Sequence, residues 1–421
     1  MKEDFLHYIW KTKRIQQDEL LTTDNETLQI IQFGHHNHDA GPDFFNGKIK
    51  IGDTIWSGHI EIHINASDWD NHKHQHDPAY NNVILHVVQS HDKDIYNLNG
   101  QKIPTLELAG LYDQNLSTKY ANLLNSDKWI PCHELLPQTD LSKLPFFLER
   151  KLTDRLIRKH LDMASLLSEK NNDWEEILYA YILRYMGHRS NNEAFENLAN
   201  RCPHKLLAKQ GENLQQKESL LFGQAGLLLS EDDYFSALSK TYQHLQHKYE
   251  LQPMHSVEWK FSRMRPASFP TLRIAQVAAL YHKTPQLFQI IIKNPEYAYL
   301  IKTLDVVPSE YWLTHYVPGK TSKSKPKAIG SMTKDIILIN VYAPLIFTYG
   351  QMTGNQDLKD KALDILTAIP SENNIIIRKW RSLGIKADSA AQSQALLELK
   401  TEMCNNSRCL DCFIGQQIIQ A

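Results

Sequence analysis

The spacing of the apolar residues changes near Pro145, and this change constrains the fold more than any other feature of the chain. Between about 27 and 109 apolar and polar residues alternate, as in 60–64 and 83–87, which is typical of strands. After Pro145 the apolar residues recur at spacings of three and four, which is typical of amphipathic helices. The sequence therefore predicts an α+β fold. A mainly antiparallel or mixed sheet domain, about 1–140, is followed by a large all-α region, 141–421.

Length and charge narrow the classes of protein that this chain can belong to. A chain of 421 residues exceeds the size at which one hydrophobic core usually stops growing, so two domains are expected. The net charge of −2 gives no general sign of a nucleic-acid binder. The start is acidic and aromatic, unlike a secretory signal, and the longest apolar run, around 335–348, is too short to cross a bilayer. A cytoplasmic protein with no membrane partner is predicted, and the oligomeric state stays open.

Histidines are concentrated near the N-terminus, where 35–91 holds ten of the twenty. His59, Glu61 and His63 alternate along one predicted strand, so their side chains share one face. A carboxylate between two imidazoles can bind a divalent metal or act as a base of adjusted pKa. The alternative is an ordinary solvated face of a half-exposed sheet. Nearby histidines add to the cluster: His86 in an apolar strand is expected to be a hydrogen-bonded core residue, and His72, His74 and His76 are ligands, phosphate contacts or exposed side chains.

Strand register decides whether Asp43 can reach this face. A two-residue turn at Gly52-Asp53 pairs Asp43 with Ile62, which places Asp43 on the face opposite Glu61. A β-bulge is needed to bring the two carboxylates together. Gly47 and Gly58 are candidate positions for it, because glycine inside a strand often marks a bulge.

The motif Gly-Pro-Asp-Phe at 41–44, followed by Glu61 and His63, resembles the Asp…Glu-x-Lys core of the PD-(D/E)XK nuclease superfamily. The resemblance implies that Asp43 and Glu61 hold Mg²⁺ or Mn²⁺, with His59 as a further candidate ligand from the strand pattern. His63 stands at the lysine position and would orient or deprotonate the attacking water. Glu3 of the first predicted helix would complete the acidic set. The implied activity is a divalent-metal-dependent phosphodiesterase acting on nucleic acid, with Asp43, Glu61 and His63 as catalytic residues.

Three cysteines near the C-terminus, Cys404-x4-Cys409-x2-Cys412, have a spacing typical of zinc or iron–sulfur ligands. The spacing matches the first three cysteines of plant-type ferredoxins, whose fourth ligand is distant in sequence. Cys132, Cys202 or a histidine could supply that fourth ligand. The alternative is a group of reduced thiols at a helix end. Some nucleases of the superfamily named above join distant segments through an iron–sulfur cluster, so the resemblance implies that head and tail could belong together.

Arg263, Arg265 and Arg273 lie among three aromatic residues in the segment 258–273. Arginines interleaved with aromatics suit phosphate contacts and base stacking, so this segment is a candidate nucleic-acid-binding surface. The alternative is that the arginines pair with carboxylates of neighbouring helices while the aromatics fill the core.

Five phrases spread along the chain together resemble one uncharacterised bacterial family, a domain of unknown function: AGPDF, GHIEIH, DPAYNNVILHVV, RMRPASFPTLRIAQ and CLDCFIG. This resemblance implies no activity, but it favours one architecture that includes both the histidine-rich head and the cysteine tail. Two further hypotheses therefore remain beside the nuclease. One is a non-catalytic scaffold for nucleic acid or protein with a degenerate nuclease fold, and the other is a His/Glu metalloenzyme of another class.

Overall fold

The computed structural model describes residues 2–37, 39–228 and 230–421 and divides them into two compact units. Unit 1 consists of Met1–Phe147 with Leu399–Ala421, and unit 2 consists of Leu148–Glu398. The first boundary lies close to the predicted one at 140. The prediction that 141–421 forms a single domain is corrected for the tail, which packs with unit 1. Local periodicity identifies the tail as helical but carries no information about which distant segment it contacts.

Unit 1 is built around a six-stranded mixed sheet with the order β1-β3-β4-β5-β6, in which β2 also pairs with β3. Its strands are β1 (Leu28–Gln32), β2 (His35–His36), β3 (Phe44–Ile51), β4 (Thr54–Asn65), β5 (Val83–Ser90) and β6 (Thr105–Glu107). β3 and β4 form an antiparallel hairpin, whereas β4, β5 and β6 run parallel to one another. The predicted mixed sheet is confirmed.

Three helices accompany these strands, namely α1 (Glu3–Lys11), α2 (Asp68–Asn71) and α3 (Gln114–Leu124). α1 is amphipathic and buries Phe5, Ile9 and Trp10 completely. The indole nitrogen of Trp10 donates a hydrogen bond to the carbonyl of Phe33 at 2.9 Å, so the burial of this ring leaves no polar atom unpaired. α1 is thereby fixed against the sheet, and its polar residues occupy defined positions beside β4.

Both faces are buried along most of β5 and along the second half of β4, whereas the first four residues of β4 are exposed. Ile60, Ile62, Leu85 and Val87 have no exposed surface. The opposite face carries Glu61, His63 and His86, and these polar residues are also buried, at 4%, 1% and 0% exposure. Burying polar groups is costly unless each finds a partner, so this face must form a hydrogen-bonded or ion-binding cluster.

A β-bulge interrupts the β3–β4 hairpin. Ile51 pairs with Thr54 and Gly47 pairs with Gly58, but Phe44 pairs with Ile60, one residue out of step. The extra residue lies between Phe44 and Gly47, where Asn46 has a left-handed φ of 59°. A shift of one residue moves a side chain to the other face of a strand. The bulge that the register argument required is therefore present, and it brings Asp43 to the face that carries Glu61.

Unit 2 is helical apart from a two-stranded sheet of β7 (His315–Val317) and β8 (Lys320–Thr321). Its helices are α4 (Leu144–Glu169, which begins in unit 1), α5 (Trp174–Met186), α6 (His188–Arg201), α7 (His204–Ala208), α8 (Leu214–Gln224), α9 (Asp233–Tyr249), α10 (Pro270–Lys283), α11 (Leu287–Lys293), α12 (Tyr297–Thr303), α13 (Ser331–Ile337), α14 (Ala343–Thr353), α15 (Gln356–Ala368), α16 (Ile375–Ser382) and α17 (Ala390–Glu398). α18 (Phe413–Gln420) then belongs to unit 1. The predicted all-α region is confirmed.

One helical stretch of unit 2, Ser331–Thr353, is long and apolar enough to cross a membrane by length and composition alone. A π-helical segment, Leu338–Tyr342, joins its two α-helical parts. Of its apolar window, 67% is buried inside the structure, as in the core helix of a helical domain.

Gly58 is predicted to be essential for the hairpin. A Cβ added there would lie 2.4 Å from the backbone oxygen of Asn82, and that carbonyl already accepts a hydrogen bond from the amide of His59. Backbone atoms yield far less than a flexible side chain, so Gly58→Ala should lower the free energy of unfolding by about 1–3 kcal/mol. Gly330→Ala is the control, because its added Cβ meets nothing within 4 Å. Equal urea midpoints for the two variants would contradict this account.

Candidate metal centre on the N-terminal sheet

The carboxylates of Asp43 and Glu61 each accept a hydrogen bond from a backbone amide of the other's segment. The amide of Asp43 donates to Glu61 Oε2 at 3.0 Å, and the amide of Ile62 donates to Asp43 Oδ2 at 2.9 Å. The Asp43 side chain is 21% exposed and that of Glu61 is 5% exposed. Two carboxylates therefore meet at the edge of a buried site, with one of them still open to a ligand.

The electrostatics of this pair favour a bound cation. Burial and then the negative charge of Asp43 raise the pKa of Glu61, while the amide of Asp43 and the ring of His7 oppose the shift. Glu3, on α1, has its pKa raised mainly by burial and further by Asp43. Acidic groups brought this close destabilise one another unless a proton or a cation lies between them.

Three imidazoles gather beside Glu61. The ligand atoms of His63, His72 and His74 all lie within 4.8 Å of one another, and His63 Nε2 is 3.1 Å from His72 Nδ1. Glu61 Oε1 lies 3.3 Å from His74 Nε2 and 3.6 Å from His63 Nε2. Ligand atoms held about 2.1 Å from one ion are roughly 3.0–3.4 Å apart when they are neighbours. The spacing thus suits a single divalent metal, with Glu61 at one side of the three rings.

The rings of His63 and His74 are already in the form that binds metal. Burial lowers the pKa of His63 to about 3, helped by the neighbouring His74 and His72. Burial also lowers the pKa of His74. A neutral imidazole offers a lone pair, whereas a protonated one repels a cation. At neutral pH the site therefore needs no deprotonation of His63 or His74 before a metal enters.

Buried groups behind the three rings fix their orientation. His63 Nδ1 lies 2.8 Å from Nε2 of His86, which is fully buried as expected from the sequence. The ring of His74 stacks on Tyr80 at 3.8 Å, and Trp69 contacts both His74 and His86. If a metal binds Nε2 of His63, the ring proton must be on Nδ1. Nε2 of His86 can then accept a hydrogen bond from Nδ1. This arrangement gives the site a second layer of support.

His7 is a site residue that the sequence interpretation missed. Its Nε2 lies 3.2 Å from Asp43 Oδ2 and 3.8 Å from Glu3 Oε1. Burial opposes its protonation, but the hydrogen bond and the charge of Asp43 outweigh burial and raise the pKa of His7. The available signal was the i,i+4 spacing of Glu3 and His7, which places both on one face of α1.

The structure does not bring every predicted site residue to this place. The ring of His59 packs against Phe45 at 4.8 Å, and the described contacts of His59 include neither Asp43 nor Glu61. His59 lies at a slip in the β4–β5 register, since His59 pairs with Val83 and Ile60 with Leu85, which leaves one extra residue on β5. His72 and His74, which arrive from the segment after α2, take the place that the alternation predicted for His59.

The predicted arginine surface in unit 2 is also corrected in part. Arg273 is 5% exposed and donates hydrogen bonds of 2.9 Å to Gln276 Oε1 and Thr333 Oγ1, so it is a structural residue. It lies on the buried face of α10, which a sequence pattern of interleaved aromatics does not reveal. Arg263 and Arg265 are exposed in the loop before α10 and keep the position that the prediction needs.

The cysteines gather at a second place in unit 1. Cys132, Cys404, Cys409 and Cys412 line one cavity. Cys202 lies in unit 2, where it is fully buried beside Tyr179, so Cys132 is the cysteine that joins the three of the tail.

A cleft of about 390 Å³ opens beside the candidate metal centre. His7 and His36 line it from the head, and the tail contributes 406–408, 410, 411 and 416. Its charged lining consists of Lys2, Lys11 and Arg408 against Asp4 and Asp411. His7 both contacts Asp43 and lines this cleft, so His7 lies between the acidic pair and the cleft.

The chain belongs to the family described as "Protein of unknown function (DUF2851)", whose profile matches residues 3–375. The match includes the whole candidate metal centre and Cys132 and ends before the three cysteines of the tail. No curated protein and no solved structure matches this chain.

Substitution of the clustered rings is predicted to weaken metal binding selectively. His63→Ala and His72→Ala should each lower the affinity for Mn²⁺ or Zn²⁺ at least about 10-fold, because each removes one donor atom from the set. His59→Ala is the matched control and should bind like the parent protein. Isothermal titration with each ion measures the constants. A His63→Ala protein that binds as tightly as the parent would remove this site from consideration.

Proposed function

We propose that this protein is a divalent-metal-dependent phosphodiesterase that acts on nucleic acid. The observation that carries the proposal is the convergence of Asp43, Glu61 and three imidazoles at the edge of one sheet face, beside a cleft whose charged lining holds three cations and two carboxylates. The resemblance of 41–63 to the PD-(D/E)XK core points to the same pair of carboxylates.

The chain's own residues have separable tasks in this proposal. Glu61 and the rings of His63, His72 and His74 would hold the ion, with Asp43 as an additional ligand on the exposed side. A divalent ion at this place would lower the pKa of a water and neutralise negative charge on a phosphate. Since neutral imidazole suits Zn²⁺, Fe²⁺ and Mn²⁺ while Mg²⁺ prefers oxygen ligands, the ring content favours Mn²⁺ or Zn²⁺ over Mg²⁺.

His7 is placed to move a proton. Its Nε2 contacts Asp43, its pKa is raised by that contact, and its side chain also lines the cleft. A protonated imidazole between the acidic pair and the cleft can donate to a leaving oxygen. In this proposal His7 therefore acts as the general acid, a role that the sequence comparison with nucleases did not suggest.

A second candidate is a metalloenzyme of another class, which the three imidazoles favour. Imidazole-rich centres with one carboxylate serve hydrolytic and oxidative chemistry on substrates without phosphate. The cationic side chains of the cleft favour the phosphodiester substrate, because Lys2, Lys11 and Arg408 can contact phosphate oxygens.

Loss of either carboxylate is predicted to abolish activity without unfolding the protein. Asp43→Asn and Glu61→Gln keep the side-chain shape but weaken the hold on a cation, so Mn²⁺-dependent cleavage of single-stranded DNA or RNA should fall about 10²–10⁴-fold. Asp53→Asn, at the exposed hairpin turn, is the control and should retain activity. Absence of cleavage by the parent protein across Mn²⁺, Zn²⁺ and Mg²⁺ would refute the proposal.

Charge reversal in unit 2 tests the nucleic-acid partner separately. The double change Arg263→Glu and Arg265→Glu should weaken binding of a labelled oligonucleotide and reduce the salt dependence of that binding, because two exposed phosphate contacts are removed. Arg150→Glu, another exposed arginine of the chain, provides the comparison. Unchanged affinity and salt slope in the double variant would exclude this surface. If the double variant loses binding while the Glu61→Gln substitution has no effect, the non-catalytic scaffold is favoured.

A further inference from the structure

Four cysteines from two distant parts of the sequence share one small cavity of unit 1. Cys132 precedes α4, while Cys404, Cys409 and Cys412 surround the loop before α18. Cys132, Cys409 and Cys412 are 6–7% exposed. Convergence of four thiols from separate segments has a low chance of arising through packing alone, and four-thiol sets hold zinc or iron–sulfur clusters.

The cavity disfavours free thiolates and would favour metal-bound ones. Burial, followed by the charges of Cys412 and Cys409, raises the pKa of Cys132 to about 12. Burial, followed by Cys412, raises the pKa of Cys409 to about 12. Burial and three neighbouring cysteines likewise raise the pKa of Cys404. A bound metal removes both the cost of burial and the repulsion between thiolates, because it neutralises the thiolates and takes the place of their lost hydration.

The spacing of the cysteines along the chain favours one of the two kinds of metal centre. Cys404-x4-Cys409-x2-Cys412 matches the first three cysteines of plant-type ferredoxins, whose fourth ligand is distant in sequence. Cys132 lines the same cavity and supplies such a distant fourth thiol. The set therefore favours an iron–sulfur cluster over a single zinc ion.

We propose that Cys132, Cys404, Cys409 and Cys412 ligate an iron–sulfur cluster that positions the tail as one wall of the cleft beside the metal centre. Arg408 connects the cluster to the cleft, because it lines both the cysteine cavity and the cleft. The neighbouring Asn406, Ser407 and Asp411 also line the cleft. Since this wall lies within the cysteine segment itself, fixing the sulfurs fixes the wall.

The backbone around the cysteines is built to close tightly. A Cβ on Gly415 would lie 2.1 Å from the carbonyl oxygen of Cys409, so only glycine lets α18 approach this loop. The amide of Arg408 donates to the carbonyl of Met403, and the amide of Cys412 donates to that of Cys409. Gln420 on α18 donates to the Tyr8 hydroxyl at 3.0 Å, which ties the tail to α1. These contacts already hold the cysteine loop in place, and the cluster would fix its sulfur atoms as well.

The test begins with the full chain purified under anaerobic conditions. We expect iron and acid-labile sulfide in equal amounts, with a visible absorption that disappears on oxidation. Cys409→Ser and Cys412→Ser should each reduce bound iron to less than a tenth, whereas Cys202→Ser, the matched buried cysteine of unit 2, should retain it. Zinc at one atom per chain without iron would overturn the cluster assignment, and protein free of both metals after anaerobic purification would overturn the site.

A second readout tests the wall of the cleft and rests partly on the proposed function. Loss of the cluster should increase amide hydrogen exchange over 405–412 and 2–12 and weaken oligonucleotide binding at least 10-fold, while Mn²⁺ affinity at the histidine centre stays unchanged. Iron-loaded protein that fails to cleave nucleic acid would contradict the proposed function and leave the cluster intact. Unchanged exchange in the iron-free variants would contradict the positioning role.

Discussion

The one-residue bulge between Phe44 and Gly47 is the constraint on which the rest of the N-terminal site depends. A regular hairpin from the turn at Gly52 and Asp53 would place the two carboxylates on opposite faces of the sheet. The left-handed conformation of Asn46 absorbs the extra residue and inverts the pattern beyond it. Asp43 then exchanges hydrogen bonds with the Glu61 strand, and every other member of the site is arranged around that pair.

Charge balance explains why acidic and imidazole groups occur together on this face. Two adjacent carboxylates in a buried site hold one proton more tightly than isolated groups would, as the raised pKa of Glu61 indicates. The rings of His63, His86 and His74 show the opposite shift, because burial disfavours a positive charge on each, and neighbouring rings add to this effect at His63 and His86. The combination is a negatively charged pocket lined with neutral electron-pair donors, which is the setting that a divalent cation stabilises.

Much of the fold could be predicted from the sequence, because apolar spacing reports local structure directly. The change of period near Pro145 separated the sheet from the helices, and the turn at Gly52 fixed the hairpin and showed where a bulge was needed. What could not be predicted depends on contacts between distant segments. Nothing local shows that α18 packs with the head, or that α1 brings His7 to Asp43.

The candidate site follows the same division between local and non-local information. Asp43, Glu61 and His63 were predicted from motif and alternation, and the structure brings them together with His72 and His74 in place of His59. The ring of His59 packs against Phe45 instead, and alternation along one strand does not show which side chain of a neighbouring strand a ring will contact. The predicted contact of Arg273 with nucleic acid also depended on non-local information. α10, the helix that carries Arg273, is buried on nearly every side, and the local sequence does not show this.

The order of unit 1 along the chain has a consequence for its synthesis. Met1–Phe147 leaves the ribosome first, but Leu399–Ala421 becomes available only after the whole of Leu148–Glu398 has been made. At translation speeds of about 5–20 residues per second, the head must wait roughly 10–50 s for its last helix. During that interval the surface that α18 covers is exposed to chaperones and proteases. The first unit can therefore complete its fold only after the second has been synthesised.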